Sequence, residues 1–410
     1  MAYIKDIHKK GLPIITIMLA ALVTLSPFAI DSYLAAMPLM ATYFNVKFSL
    51  VELTITVYFL GFALGNFFGG PLSDSFGRKN ITLIGVALYG ISSLIITECI
   101  SIEQIIFFRV LQAFGGGFAT VTSNVYIRDW FKGKQVAKLI TVVSMMMMLA
   151  PLFAPVIGAV LIKLIGWKGV FYFMFGFALL LFIAFLILIP ESRDKLLITK
   201  SIKTSQFLDK YKVFFSDKLS VTTLFAVSFS MSGMYIFLTG ASFIYIEYFG
   251  ISQEKFPLLF GSNIILNIIL SFLNTQLLKK YKPMQLLRVG LILQLLAGIV
   301  LFLAVREETP MFWAVFIGIV VFVGSLGLIF GNGTAVILNH NPKVAGSANA
   351  AIGIMRFVLS FIIGSIIALF HAKNLIPLGT AMFMCTLIGN ILFAGAFKKY
   401  KVMDLSSVNM

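Results

Sequence analysis

The chain has 410 residues, 60% of them hydrophobic and only 12% charged, and its mean hydropathy is +1.00. A water-soluble domain carries about 25% charged residues, so this composition argues against soluble enzymes and DNA-binding proteins. The net charge of +16, from 32 Lys and Arg against 16 Asp and Glu, would suggest nucleic acid in a soluble protein. In a membrane protein it reflects cationic loops beside anionic lipid, and no nucleic-acid partner is expected.

In chain order, stretches free of Asp, Glu, Lys and Arg cover 11–30 (continuing to 46 past Asp31), 53–73, 80–97, 104–127 (interrupted by Arg109), 139–162 and 169–190. A second set covers 219–246, 256–278, 289–305, 309–342, 344–372 (interrupted by Arg356) and 374–397. A bilayer-spanning helix needs about 20 apolar residues, so each stretch predicts one span. The expected fold class is an all-α membrane protein with twelve transmembrane helices in two six-helix bundles, 1–190 and 218–410. A cytoplasmic central loop, 191–217, joins them. The first stretch is too long for a signal-peptide core and is expected to be retained.

With the amino terminus in the cytoplasm, 24 of the 32 cations fall on the cytoplasmic side and 6 on the other, with Arg109 and Arg356 inside spans. That asymmetry predicts a multi-pass protein with both termini cytoplasmic. In the central loop, Phe207, Leu208, Tyr211, Phe214 and Phe215 recur at helical spacing beside Lys210 and Lys212. The pattern predicts an amphipathic helix on the cytoplasmic membrane face, as a tether or as a partner-binding element. Two halves of six spans suggest an internal duplication. The loop 276–282 echoes the loop 70–79 only as a short basic connection, without its acid.

Polar residues inside the membrane are the candidates for function. Asp31 is the one acid deep within a predicted span. A carboxylate at membrane depth costs about 2.5–3.5 kcal/mol on insertion scales, and such a group can bind and release a proton near physiological pH. It carries protons, or it sits hydrated near the outer interface. Arg109 cannot shed its charge and needs carbonyls, water or an acid; it senses Asp31 if spans 1 and 4 adjoin, or clamps helix carbonyls. Arg356 either faces a cavity and favours an anionic or polar ligand, or snorkels to the cytoplasmic interface. Pro151 and Pro155, with Gly158, remove backbone hydrogen bonds and allow a bend in span 5. The run Met145-Met146-Met147-Met148 supplies an adaptable apolar wall, for a pocket or for lipid.

Other signals point to blander roles. Gly115-Gly116-Gly117 lacks a following Lys-Ser or Lys-Thr, so it reads as a close-packing surface. No GxxxxGK[ST] motif occurs, so ATP hydrolysis is not expected and uphill transport would draw on an ion gradient or a partner. Cys99 and Cys385 are far apart, and His8, His340 and His371 are scattered, so neither a disulfide framework nor a metal cofactor is expected. No nucleophile–base set appears either, so the chain is not expected to be an enzyme.

The loop Gly70-Pro71-Leu72-Ser73-Asp74-Ser75-Phe76-Gly77-Arg78-Lys79 resembles the major facilitator superfamily signature G-x-L-S-D-[RK]-x-G-R-[RK], with Ser75 departing from the usual base. Asp31-Ser32-Tyr33-Leu34-Ala35-Ala36-Met37-Pro38 resembles the first-span motif of drug:proton antiporters, and Arg109-Val110-Leu111-Gln112 their span-4 motif. Pro151-Leu152-Phe153-Ala154-Pro155-Val156-Ile157-Gly158 resembles their span-5 motif, with Ala154 where glycine is usual. Ala345-Gly346-Ser347-Ala348-Asn349-Ala350 is similar to the span-11 start of the bicyclomycin-resistance (Bcr/CflA) subfamily, which usually has glutamine where Arg356 stands.

The resemblance implies the major facilitator fold: two bundles around a central cavity, in the bacterial inner membrane, working by alternating access. It implies export of a small, lipophilic drug-like molecule in exchange for a proton, by a monomer that needs no cofactor beyond the proton gradient. Asp31 would carry the proton and Arg109 would couple it. Gly70, Asp74, Gly77, Arg78 and Lys79 would form the cytoplasmic latch, with Arg128 a candidate partner of Asp74. By span position, Tyr33, Tyr58, Asn124, Tyr126, Met146 and Tyr235 are candidate cavity residues beside Arg356. The alternatives are a dedicated carrier of a metabolite or siderophore, and a membrane receptor or scaffold without transport.

Overall fold

A computed structural model of the chain describes residues 12–131, 134–193, 198, 211–340, 345–370 and 374–408. Among these residues, twelve helical segments are long and apolar enough to cross a membrane. They coincide with the uncharged stretches, because a chain in lipid must satisfy its backbone hydrogen bonds within each segment. The chain divides into two compact units, Met1–Lys203 and Thr204–Met410.

The first unit holds α1 (Leu12–Asp31), a 3-10 turn (Leu34–Ala36), α2 (Met37–Phe44), α3 (Phe48–Phe76), α4 (Arg78–Ile96), α5 (Ile102–Trp130), α6 (Lys134–Ile165) and α7 (Trp167–Leu188). Its first span is therefore broken: α1 ends at Asp31, and the chain turns before α2 continues. The Ser32 hydroxyl turns back to the Phe28 carbonyl at 2.5 Å, and Pro38 sits in the first turn of α2, where its missing N–H is harmless.

Glycines set how closely the helices pack. Gly61 and Gly65 of α3 lie against the Val110 and Phe114 carbonyls of α5, leaving no room for a methyl group. Gly115 meets Tyr89 of α4, Gly116 meets Ser26 of α1 and Tyr58 of α3, and Gly117 meets Gly65 and Asn66. The triple glycine is thus a three-way packing surface, on which small residues let backbones approach. α6 continues through Pro151 and Pro155 to Ile165, and its Gly158 presses on the backbone of Ser32, beside the break in the first span.

The second unit holds α8 (Lys218–Ser242), a π-helical turn (Phe243–Tyr248), α9 (Phe256–Leu277), α10 (Pro283–Ala304), α11 (Phe312–Gly324), α12 (Leu326–His340), α13 (Ala345–Leu369) and α14 (Ile376–Val408). The apolar stretch 309–342 reads as one helix in sequence but is interrupted at Ser325, next to Gly324 packed on Leu266. Buried amides tie the unit together. The Ser230 hydroxyl donates to Gln294 Oε1 at 2.5 Å, and Asn332 Nδ2 donates to Asn274 Oδ1 at 2.7 Å. Asp217 caps α8 by accepting from the Ser220 N–H at 3.0 Å and faces His340 Nε2 at 3.4 Å.

The central loop differs from the amphipathic-helix expectation. Phe207, Leu208 and Lys210 lie outside the described residues. Residues 211–216 are helical, but Phe214 is fully buried against Leu224, Ile337, Ala348, Ala351 and Ile352, with Tyr211 packed on the same cluster. Their apolar side covers protein rather than lipid, because the ends of α8, α12 and α13 leave an apolar surface there. Val213 and Phe215 are exposed. Cys99 and Cys385 are buried and unpaired.

Candidate functional site

Asp31 is the last residue of α1 and is 4% exposed. No hydrogen bond or ion pair reaches its carboxylate among the described residues. The break also leaves carbonyls of the last turn without helical donors. Arg109 Nη1 supplies one of them, donating to the Ala29 carbonyl at 3.0 Å.

Spans 1 and 4 therefore adjoin, but Arg109 does not pair with Asp31. Its guanidinium lies between two phenol rings, 4.6 Å from the centroid of Tyr33 and 4.5 Å from that of Tyr58. Ring faces are partly negative, and such contacts contribute about 2 kcal/mol or more when desolvated. Nη1 also donates to Gln112 Oε1 at 2.8 Å, one turn along α5. Gln112 Nε2 donates to the Ser93 hydroxyl at 2.7 Å. The phenols are held in turn: Tyr33 to Thr54 at 2.8 Å, Tyr58 to Ser26 at 3.0 Å, and Tyr89 to the Leu25 carbonyl at 2.9 Å. Arg109 Nε and Nη2 remain buried without an acceptor.

The signature loop forms a second constellation. Arg78 is buried and its guanidinium binds Asp74 at 2.5 Å, Asp129 at 3.1 Å and the Ser73 hydroxyl at 2.8 Å. Asp74 also meets Arg193 at 3.2 Å. Glu191 accepts from the backbone N–H groups of Arg78 at 2.9 Å and Lys79 at 3.0 Å, and from that of Arg193 at 3.0 Å. A carboxylate at a helix N-terminus satisfies donors that have no partner within the helix. Gly77 has φ +96°, and a Cβ there would stand 2.6 Å from Glu191 Oε2. Lys79 Nζ donates to the Leu186 carbonyl at 2.8 Å, and Ser192 to Asp129 at 2.8 Å. Gly70 lies near Val121.

Four of the expected positions fall elsewhere. Arg128 is exposed and is not the partner of Asp74; Arg78 and Arg193 take that place, and the neighbouring Asp129 points to Arg78 instead. Tyr126 is fully buried among Trp130 and Phe185, so it packs the end of α5 rather than lining a cavity. Tyr33 and Tyr58 are fully buried and hold Arg109. Asn124 and Met146 are exposed on α5 and α6. Tyr235 packs on Phe357 at 4.9 Å. The Arg356 guanidinium lies 5.0 Å from the Phe330 ring and 4.7 Å from that of Phe357.

Sequence reading missed Ser26, Thr54, Tyr89 and Ser93, and also Asp129, Glu191 and Arg193. Gln112 was legible, because three residues along a helix is the same face as Arg109. Glu191 stands 113 positions from Arg78, and nothing local announces their meeting.

Residues 19–365 match the family model described as Major Facilitator Superfamily. The chain is 33% identical over 384 residues to the "Bicyclomycin resistance protein homolog" of Haemophilus influenzae, covering 93% of this chain and 95% of that one. It is 25% identical to the "Multidrug resistance protein MdtL" of Salmonella paratyphi C, over 82% and 83% of the two chains. Among solved structures it resembles a bacterial homologue of the human lysosomal transporter Spinster, with TM-score 0.72, 15% identity and coverage of 95% and 97%. It also resembles a D-xylose-proton symporter, with TM-score 0.68, 16% identity and coverage of 92% and 97%. At such identities the structures speak for the fold.

Proposed function

The chain belongs to the Major Facilitator Superfamily, and we propose that it is a proton-coupled exporter of drug-like small molecules, working by alternating access. The observation that carries this reading is the buried carboxylate of Asp31 at the break in the first span, without a partner among the described residues, two residues after the carbonyl that Arg109 holds. A group that must be neutral to stay comfortable in a dry site, and that ionises when the site opens to water, is what proton exchange requires.

Arg109 is the coupling group. It reaches the first span through the Ala29 carbonyl, two residues before Asp31, and its Nε and Nη2 are buried without an acceptor. The phenols of Tyr33 and Tyr58 and the Ala29 carbonyl hold the guanidinium. The Asp74–Arg78–Asp129–Glu191 cluster is the cytoplasmic latch of this unit. The cation asymmetry favours cytoplasmic termini, and the resistance-protein relatives favour export across a bacterial inner membrane; on this reading the protein acts as a monomer with the proton gradient as its energy source.

The test is movement of fluorescent lipophilic compounds in inverted membrane vesicles under an imposed pH gradient, comparing wild type with Asp31→Asn. Gradient-dependent movement in wild type that is lost in the variant supports the reading. Equal movement in both removes Asp31 from the mechanism.

A further inference from the structure

The Arg109 site accounts for one of the two arginines inside the spans. Arg356 has no such account. It stands on α13 (Ala345–Leu369), and Phe330, whose ring it faces, stands on α12 (Leu326–His340). At 1.5 Å per residue, both lie roughly 15–17 Å from the end at which the two helices are joined. That is near the middle of a hydrocarbon core about 30 Å thick. The guanidinium stays level with Phe330, so it does not snorkel to the interface.

No counter-charge is near among the described residues of this unit. The described acids of the second unit, Asp217, Glu247, Glu254, Glu307, Glu308 and Asp404, all lie at or beyond the ends of spans. No ion pair or hydrogen bond from the guanidinium is found among the described residues, and its Nε is buried without an acceptor. The neighbouring hydroxyls of Ser232 and Ser360 both donate to the Arg356 carbonyl, at 3.2 and 2.5 Å, which pins the backbone and leaves the side chain unserved. Among the described residues only the faces of Phe330 and Phe357 attend the cation, and Phe330 is 38% exposed. The site is partly open, aromatic on its walls and permanently positive. An arginine in this position lacks one thing, an anion.

We propose that Arg356 with Phe330 and Phe357 forms a subsite for an anionic group on an aromatic or apolar substrate, so that the exporter favours aryl acids over their neutral counterparts. The planar guanidinium would take a carboxylate through two parallel N–H donors, while the rings stack on the apolar body. This rests on the export reading, whose substrate class it narrows.

The experiment measures binding of radiolabelled 2-naphthoate to the purified protein, displaced by unlabelled 2-naphthoate or by the neutral isostere 2-naphthamide. The same two compounds are then followed in inverted vesicles under a pH gradient. A charge-assisted pair predicts that wild type prefers the acid by about tenfold or more. Arg356→Gln should bring the acid-to-amide ratio to within about twofold, and Arg356→Lys should keep part of the preference, since it keeps the charge without the fork. Equal binding of acid and amide by wild type overturns the proposal without recourse to any variant, as does an unchanged ratio in a folded Arg356→Gln protein. Preferential binding without gradient-driven movement of any compound sinks the export reading and leaves the anion subsite standing. Gradient-driven movement without preference does the reverse.

Discussion

Replacing Glu191 with alanine strips the first turn of α4 of its acceptors. The amides of Arg78 and Lys79 begin that helix and have no carbonyl four residues back within it. Their hydrogen bonds run instead to Glu191 Oε1 and Oε2, at 2.9 and 3.0 Å. A hydrogen bond to a charged acceptor contributes about 1.5–3 kcal/mol. Because the site is half-buried, the two together amount to about 3 kcal/mol at the lower figure. Each 1.4 kcal/mol is tenfold in an equilibrium, so Glu191→Ala should speed hydrogen exchange at these two amides about 100-fold. Glu191→Gln keeps an acceptor but loses the charge, and should give about tenfold. Hydrogen exchange followed by mass spectrometry on peptides covering residues 74–82 reads both variants, with the middle of α5 as an internal reference. Exchange in Glu191→Ala within about threefold of wild type would refute the idea that this carboxylate holds the start of α4.

The same exchange measurement should find Gly77→Ala resembling Glu191→Ala, because the new methyl meets Glu191 Oε2 and the residue's φ of +96° disfavours a side chain. Arg109→Lys should lower gradient-driven transport at least tenfold while the protein still folds, since an ammonium cannot lie flat between Tyr33 and Tyr58 and still reach Ala29 and Gln112; wild-type rates in that variant would remove the planar clamp from the mechanism. Cys99, between α4 and α5, is buried, and burial first and the Glu98 charge second raise its pKa above that of an ordinary thiol. A raised pKa means less thiolate at neutral pH, so maleimide should label Cys99 more slowly than free cysteine at pH 7, with the rate climbing about tenfold per pH unit on alkalinisation.

Span number, span order and the identity of the charged residues inside the membrane were all legible in the chain. Hydropathy is a sum over neighbours in sequence, and a lipid-embedded helix needs nothing beyond its own residues to satisfy its backbone. The signature loop around Asp74 and Arg78 was legible for the same reason, since its parts are local. Partnership was not legible. Arg109 was read as a sensor or a clamp, and only packing showed that Tyr33, Tyr58 and Ala29 surround it while Asp31 has no partner among the described residues. Arg128 looked like the partner of Asp74, yet one residue along the helix turns a side chain by roughly 100°, and it is Asp129 that joins the cluster through Arg78. Breaks at residues 32–33 and at Ser325 fall inside unbroken apolar stretches, where composition carries no signal. What sequence alone determined is therefore where the chain crosses the membrane and which polar groups it takes along. What tertiary structure decided is which of those groups meet, because a contact between residues 80 or 113 positions apart depends on helix rotation and depth rather than on any local pattern.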